Sequence, residues 1–301
     1  MIKNLPSKIK QISEIRLYQY IAGVLVLVIL VVAVVINNRL GNSILRVEFL
    51  DVGQGDAIFI TAPNGNQVLI DGGPNDRVLG QLGNSMGFFD RSIDMVIATH
   101  PDKDHIAGLA SVFRLYDVDY FIGSELQSET KYDNALQDGV SNESGLTRIT
   151  ARAGERFILD KNRGIYIDVL FPSSTTENYE ETNQASIITR LVYGTKSFLL
   201  TGDAYTENED YIVDMYGEKI KSTVLKIGHH GSKTSSGEKF LLTVLPEYAI
   251  VSAGKTNTYG HPKPEVIERF ENIGSHILST IDHGTISFIT DGVVMYIDTE
   301  R

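Results

Sequence analysis

The longest hydrophobic pattern in the chain is an unbroken apolar run at residues 21–36. Two tyrosines just before it lengthen the run toward the ~20 residues with which a helix crosses a bilayer. A buried core helix would carry a polar stripe, and this run has none. Four basic residues and one acidic residue precede it. The pattern predicts a short basic cytoplasmic segment at 1–17, a single N-terminal transmembrane helix at 18–36 and a linker at 37–43.

The charges before the apolar run also predict its orientation. Basic residues stay on the cytoplasmic side, so the N-terminus would lie inside the cell and the rest of the chain outside. A cleaved signal peptide is the alternative, but the flank Asn37–Gly41 lacks an obvious small-x-small cleavage site. We therefore expect an uncleaved, single-pass anchor in the cell membrane, with the domain beyond residue 43 extracytoplasmic.

Beyond residue 43, short hydrophobic runs alternate with turns rich in glycine, proline and asparagine, which is typical of a mixed α and β domain. Residues 124–164 are polar and irregular, and predict a surface excursion near the mouth of the site. The pattern predicts helices at 106–116 and 264–273 and strands at 44–50, 56–61, 67–70, 95–99, 165–171, 187–193, 197–201, 224–228, 248–252, 285–290 and 293–298.

Four possible metal ligands follow the strand at 95–99 within six residues: His100, Asp102, Asp104 and His105. A chain leaving a strand end can fold such a run around a divalent ion. Two imidazoles and two carboxylates suit zinc, manganese or iron. The alternative is a solvated acidic turn with two incidental histidines.

The same chemistry recurs at later strand ends, in Asp203, His229, His230 and His261. Each follows a hydrophobic strand and lies next to a glycine or one residue from it, where the backbone can turn tightly and approach a ligand. A lone histidine is more often a satisfied polar group. However, five of the seven histidines occupy such strand ends, so the repetition indicates a metal centre.

With these residues in these positions, the chain resembles a known family. His100-x-Asp102-x-Asp104-His105 resembles the metallo-β-lactamase-fold signature, with aspartate in place of its second histidine. The full motif set is similar to the hydrolase domain of ComEC-type DNA-uptake proteins and covers roughly residues 44–298. The resemblance implies an α+β fold, a four-layer α/β/β/α sandwich. The other motifs are FLDVGQGD at 49–56, LIDGG at 69–73, LLTGD at 199–203, KIGHHGS at 226–232 and NTYGHP at 257–262.

With that resemblance, one or two divalent ions, Zn²⁺ or Mn²⁺, are the expected cofactors. Asp203 would bridge them, and Asp102 in place of histidine shifts the preference from zinc toward manganese or magnesium. A histidine that many relatives have is missing, and Asn183 is the polar residue nearest its place, so occupancy by two ions is left open. Asp104, His105 and His261 would hold one ion, and His100, Asp102 and Asp203 the other.

Further roles are assigned to residues of the same motifs. His229 or His230 would contact a phosphate or protonate a leaving oxygen, and His229 is also an alternative to His261 as ligand. Asp56 and Asp71 are expected to form turns or to orient ligands. The catalytic residues would be Asp102, Asp104, His229 and His230. The residues that would bind substrate are Asn183, Ser232, Lys226, Lys233 and Lys255.

Composition narrows the choice of function. The chain has no cysteine, so disulfides and thiolate metal sites are excluded. Its net charge of −11 argues against a protein that coats nucleic acid over its whole surface. Residues 219–263, however, hold seven lysines against two glutamates, a local balance of +5. A solvated lysine face would explain this balance, but a phosphate-bearing substrate would also use it.

The leading hypothesis is a membrane-anchored, metal-dependent phosphodiesterase that hydrolyses extracytoplasmic DNA or RNA. ComEC-type proteins carry a large polytopic membrane domain, whereas one hydrophobic segment is present here, so a role with the DNA-uptake machinery is an open expectation. The alternatives are a hydrolase of a lactam, a lactone or a cell-wall phosphodiester on the same fold, or a metal-binding module without turnover.

Overall fold

The structure, a computed structural model, describes residues 17–33, 43–173 and 179–301. Contacts divide the chain into two units, of which the second is Ile44–Arg301, and the helix at 17–33 belongs to the first. Among the helices of the described ranges, none combines the length and the apolar character needed to span a bilayer.

Parts of the predicted N-terminal organisation lie outside the described residues. These are most of the basic segment 1–17, positions 34–36 of the anchor and most of the linker 37–43. The transmembrane anchor therefore stays a prediction.

Fifteen strands of the described residues form two mixed sheets. The first sheet has eight strands in the order β15-β14-β1-β2-β3-β4-β5-β6, and the second has seven in the order β13-β12-β11-β10-β9-β8-β7. The strands are β1 Leu45–Phe49, β2 Ile58–Thr61, β3 Gln67–Ile70, β4 Ser92–Ala98, β5 Asp117–Gly123, β6 Thr147–Thr150, β7 Arg156–Asp160, β8 Ile165–Phe171, β9 Ile188–Tyr193, β10 Lys196–Leu200, β11 Val224–Lys226, β12 Tyr248–Val251, β13 His276–Ser279, β14 Ile286–Thr290 and β15 Met295–Thr299.

The helices connect these strands. After the helix at 17–33, which we call α1, the α-helices are α2 Arg77–Ser85, α3 Lys103–Ile106, α4 Leu109–Leu115, α5 Lys131–Asn142, α6 Thr206–Tyr216, α7 Glu238–Val244, α8 Pro264–Asn272 and α9 Thr280–His283. Three 3₁₀ turns lie at Thr182–Ala185, Gly217–Ile220 and Gly228–Gly231.

Three hydrophobic clusters establish the layers. The central cluster joins the inner faces of the two sheets and includes Val47, Ile97, Phe198 and Phe288, among others. A second packs α2, α4 and α5 on the outside of the first sheet, and a third packs α6, α7 and α8 on the outside of the second. The predicted α/β/β/α order is therefore confirmed for the unit Ile44–Arg301.

Strand direction explains where polar side chains gather. β3, β4, β5 and β6 run parallel in the first sheet, as do β10, β11, β12 and β13 in the second. Strands such as β3 are buried along their whole length, as expected where helices cover one face and the other sheet covers the other. Ligand-capable residues follow the carboxyl ends of these strands, which is where parallel sheets form their sites.

The prediction of an irregular surface excursion at 124–164 is wrong. This stretch contains α5, β6 and β7, which extend both sheets. Leu136 and Val140 of α5 are buried in the outer cluster of the first sheet. Together with Tyr132 they recur every four residues, so a narrow apolar stripe was present in an otherwise polar sequence.

Candidate metal centre

The ends of four strands and the turns after them build one polar cluster. Asp71 follows β3, His100 follows β4, Asp203 follows β10 and His230 follows β11. The first sheet thus supplies the 100–105 run, and the second sheet supplies the acidic residue and the later histidine. The cluster lies where the two sheets meet at the carboxyl ends of their parallel strands.

One oxygen, Asp203 Oδ2, is at the centre of this cluster. It lies 3.3 Å from His105 Nε2 and 3.3 Å from His230 Nε2. His230 Nε2 is in turn 3.4 Å from Asp104 Oδ2. His100 contributes to the same group, since its ligand atom lies within 4.8 Å of those of His105 and Asp203.

The three buried imidazoles are oriented by partners on their Nδ1 atoms. His105 Nδ1 is 2.8 Å from Asp71 Oδ2, and His230 Nδ1 is 2.8 Å from the carbonyl oxygen of Ser252. His100 Nδ1 contacts the Thr99 hydroxyl at 3.0 Å, and that hydroxyl donates to Asp71. These contacts fix each ring with Nε2 toward the cluster, as outer partners do for metal-binding histidines.

The Nε2 atoms of His100, His105 and His230 are all buried without a hydrogen-bond partner among the described residues. Three orphaned nitrogens converging beside two carboxylates are costly to bury unless a cation binds them. Imidazole and carboxylate are ligands of divalent zinc and manganese. The residues present therefore fit the metal that the fold implies.

The electrostatics of the cluster favour added positive charge. Burial alone would lower the pKa of His105 and of His230, but nearby carboxylates, Asp203 first, raise both well above the usual value. For Asp203, burial opposes ionisation, and the cationic His230, His105 and Lys226 hold its pKa well below its usual range. Burial and the positive charge of His105 lower the pKa of His100, which leaves that imidazole neutral.

Asp102 and Asn183 lie on the more open side of the cluster. Asp102 Oδ2 is 3.8 Å from His100 Nε2, and burial raises the pKa of this carboxyl. Asn183 is buried, its Oδ1 lacks a hydrogen-bond partner among the described residues, and its Nδ2 lies 3.5 Å from His229 Nε2. An ion held by His100 would thus have Asp102 nearby, and Asn183 would be available to a substrate or to the ion.

The two adjacent histidines of the GHHG turn point to different neighbours. His229 and His230 both have positive φ, at 46° and 53°, a conformation that L-residues rarely adopt. His230 is buried among the ligands, whereas His229 is half-buried at the surface of the cluster, 3.9 Å from Asp203 Oδ2. His229 Nδ1 contacts the hydroxyl of Thr234 at 3.0 Å. The turn therefore separates one inward imidazole from one outward imidazole.

This placement contradicts two assignments made from the sequence. His230 takes the position beside Asp104, His105 and Asp203 that had been given to His261, and it is too enclosed to meet a substrate phosphate. His261 belongs to none of the ligand groups formed by the described residues. Its ring lies 5.8 Å from that of His229, and burial with the charge of His229 lowers its pKa to about 4.

Lys226 is also misplaced as a substrate-binding residue. Its side chain is fully buried, and its ammonium pairs with Asp56 and lies 3.4 Å from Asp203 Oδ1 and 2.9 Å from the Gly202 carbonyl oxygen. Burial lowers the pKa of Lys226, but Asp56 and Asp203 outweigh it and raise the pKa above its usual value. Lys226 is an internal cation behind the cluster, and Asp56 is its partner.

The remaining predicted contacts are at the periphery. Lys233 is exposed and pairs with Glu265 at 2.7 Å, and Lys255 is exposed on the loop after β12. Ser232 is buried in the turn after His230 and receives a hydrogen bond from Thr234 Oγ1. Ser232 lies near His229, because Thr234 Oγ1 contacts both residues. Substrate contact by Lys233, Ser232 and Lys255 stays a prediction.

Sequence reasoning missed two residues that shape the site. Thr99 connects His100 to Asp71 through its hydroxyl, and its place between the strand and His100 is the only signal for this role. Tyr205 stacks on His229 with ring centroids 5.8 Å apart, and its hydroxyl donates to Glu181. Its place two residues after Asp203 could have indicated it.

Comparisons with known proteins show the family of this chain. A profile of the metallo-beta-lactamase superfamily matches residues 50–255. The chain is 30% identical over 263 residues to ComE operon protein 3 of Bacillus subtilis, covering 81% of this chain and 33% of that protein. It is 31% identical over 238 residues to competence protein ComA of Neisseria gonorrhoeae, covering 79% and 31%. The chain therefore spans about a third of the length of these relatives.

Solved structures share the fold at low sequence identity. CmlA, a diiron beta-hydroxylase from Streptomyces venezuelae, aligns with a TM-score of 0.52 at 12% identity, over 81% of this chain and 53% of CmlA. Zn²⁺-bound PqqB from Methylobacterium extorquens aligns with a TM-score of 0.50 at 12% identity, over 78% and 87%. With the profile match over most of the chain, these findings establish that the protein belongs to the metallo-beta-lactamase superfamily.

Proposed function

We propose that this chain is a membrane-anchored, divalent-metal-dependent phosphodiesterase that hydrolyses DNA or RNA outside the cytoplasm. One observation carries the proposal. Three orphaned Nε2 atoms and the carboxylates of Asp104 and Asp203 converge in a buried cluster, and the half-exposed His229 borders it. A binding module without turnover would not need this arrangement of ligands beside an accessible imidazole.

Support for a nucleic-acid phosphodiester comes from two sources. One relative is named a competence protein, and the motif set resembles that of DNA-uptake proteins. Lys255 is exposed on the loop that leads to His261, and Lys263 closes the same loop by donating to the Tyr259 carbonyl oxygen. These cations would favour phosphate over a neutral lactam or lactone.

The residues of the site would have separate roles in metal binding and in catalysis. A bound divalent ion would supply an activated water by lowering its pKa from 15.7 toward about 7. Asp104, His105, His230 and Asp203 would hold one position, and Asp203 with His100 and Asp102 a second. His229 would contact the phosphate or donate a proton to the leaving oxygen. Carboxylates on the second position favour manganese over zinc there.

The substrate class is tested with the full chain in detergent, reconstituted with Mn²⁺ or Zn²⁺. Single-stranded DNA, bis(p-nitrophenyl) phosphate and nitrocefin are supplied in parallel, with a chelator-treated sample as control. We expect metal-dependent cleavage of the DNA and of the diester, and slower cleavage of DNA at high salt because lysine–phosphate contacts release counterions. Faster cleavage of nitrocefin than of either would replace the proposal with a small-molecule hydrolase.

A charge reversal separates phosphate contact from general electrostatics. Lys255→Glu is expected to slow DNA cleavage more than cleavage of the small diester, because a polymer presents further phosphates to the loop. Lys219→Glu changes the charge equally but lines a different cavity, with Arg156 and Arg190, and is the matched control. Equal effects of the two variants would argue against a phosphate-binding role for Lys255. The buried Lys226 is unsuitable for this test.

A further inference from the structure

Four rings form a continuous series from the candidate metal centre to the surface. Tyr205 stacks on His229, with ring planes 30° apart. His229 meets His261 edge to face at a centroid distance of 5.8 Å, and His261 stacks on Tyr259 at 5.8 Å with planes 26° apart. Tyr259, at the outer end, is 64% exposed. Only His229 of the four is given a step in the proposed hydrolysis.

The outer part of this series is held in place by its own loop. The Asn257 side chain donates to the carbonyl oxygens of Gly254 and His261 and accepts from the His261 backbone N–H, at 2.8–2.9 Å. The loop also packs tightly on the GHHG turn, because a Cβ on Gly231 would lie 2.5 Å from Pro262. Backbone hydrogen bonding from Lys263 to Gly231 closes the contact. Tyr259 and His261 are therefore presented by a preorganised loop.

Tyr259 lies at the outer end of the stacked rings, so one face of its ring is available for another flat ring to stack on. Nucleobases cover such faces regardless of sequence, because every base has a π-face. In a duplex these faces are already stacked on neighbouring pairs, so a base must be unpaired to reach the ring. Lys263 and Lys255 on the same loop would pair with the phosphates between such bases.

We infer that Tyr259, backed by His261, is a stacking subsite for an unpaired nucleobase beside the scissile phosphate. This rests on the proposed phosphodiesterase function and refines it, since it makes single-stranded nucleic acid the preferred substrate. Tyr205, on the other side of His229, is half-exposed and is positioned to limit how far the strand can move across the cluster.

The test compares strands with and without bases, using the metal-loaded full chain. The substrates are a single strand of DNA and a strand of equal length whose sugars carry no bases. Tyr259→Ala should lower kcat/KM for the normal strand about tenfold, mainly through KM, the factor that ~1.4 kcal/mol of lost stacking produces. Tyr259→Ala should leave kcat/KM for the abasic strand unchanged. Tyr259→Phe keeps the ring, so its kcat/KM for the normal strand should equal that of the wild type.

Tyr296→Ala is the matched control, because Tyr296 is 67% exposed on β15, outside the ring series. It should leave cleavage of both strands unchanged. If Tyr259→Ala lowers kcat/KM equally for the normal and abasic strands, or lowers it for neither, the stacking subsite is overturned. The proposed phosphodiesterase function would be unaffected by that result. A wild type that cleaves neither strand nor bis(p-nitrophenyl) phosphate would overturn the proposed function and the subsite with it.

Discussion

At the scale of single residues, the two oxygens of Asp203 do different things. Oδ2 faces the three histidines His105, His230 and His229, whereas Oδ1 lies 3.4 Å from the Lys226 ammonium. The buried lysine thus offsets part of the negative charge of the cluster, and one oxygen of Asp203 is left for an ion. A bridging role for Asp203 would use that single oxygen.

The clearest prediction at this scale separates ligand from catalyst in the GHHG turn. His230→Ala removes a converging nitrogen, so the purified variant should lose most of its bound metal and its activity together. His229→Ala should keep its metal and lose about 10²–10⁴-fold in kcat, the usual worth of a positioned proton-transfer group. Elemental analysis and kinetics on the same samples give both readouts.

Two controls accompany this comparison. Circular dichroism should show that both variants stay folded, and His261→Ala should keep its metal, since His261 lies outside the ligand groups of the described residues. Full metal content in His230→Ala, or loss of metal in His261→Ala, would return the ligand role to His261.

The sequence predicts which residues build the site better than it predicts where their side chains point. The 100–105 run could be identified because its four possible ligands lie within six residues. The order of His229 and His230 could not be resolved, because a turn with positive φ decides which ring points inward. Lys226 was assigned to substrate binding, and only the fold reveals the carboxylates that make its burial tolerable.

At the scale of elements, the loop after the GHHG turn depends on a buried carboxylate from α6. Glu209 is fully buried and accepts hydrogen bonds from the backbone N–H groups of Ser236 and Gly237 at 2.7 and 2.8 Å. Arg269 of α8 donates to the carbonyl oxygens of Ser235 and Ser236. Two helices therefore fix the segment that follows the GHHG turn.

This carboxylate predicts a pH dependence of stability. Burial raises the pKa of Glu209 to about 7, against a usual value of 4.5, despite the hydrogen bonds from Gly237 and Ser236 that lower it. The folded state therefore binds this proton more tightly than the unfolded chain does. The resulting stabilisation is full below pH 4.5 and is lost as the pH rises through 7.

Glu209→Gln should remove this dependence of stability on pH. Between pH 5 and pH 8, the free energy of unfolding of the wild type should fall by up to about 3 kcal/mol relative to the variant. Urea unfolding at both pH values, with a chelator present to exclude metal binding, measures the difference. Glu238→Gln, at the exposed first residue of α7, controls for the loss of one carboxylate. Parallel pH profiles of wild type and Glu209→Gln would contradict the prediction.

Element prediction succeeded where periodicity was strong. The strands around the 44–70 meander and helix α8 match the expected segments within one or two residues. Helix α5 was missed because only three large apolar residues mark it among polar ones, and its burial comes from packing beside α4. Tertiary contacts, rather than local propensity, stabilise such a helix.

At the scale of the whole molecule, the candidate site is shared between the two sheets. The first sheet holds His100, Asp104 and His105, and the second holds Asp203 and His230, with the central cluster of side chains between them. A bound ion would therefore connect both halves of the sandwich. Because unfolding separates these ligands, metal should stabilise the domain by an amount that rises with the logarithm of its concentration above the dissociation constant.

The N-terminal charges predict the orientation of the chain in the cell. Basic residues precede the apolar run at 21–36, so the N-terminus should stay in the cytoplasm and the 44–298 domain should face outward. Protease added to intact cells or spheroplasts should then digest that domain, while a cytoplasmic marker protein survives until lysis. A substrate supplied from outside would reach the candidate site only in this orientation. Complete protection of the domain until the cells are lysed would show the opposite orientation or no membrane insertion, and would exclude an extracytoplasmic nuclease.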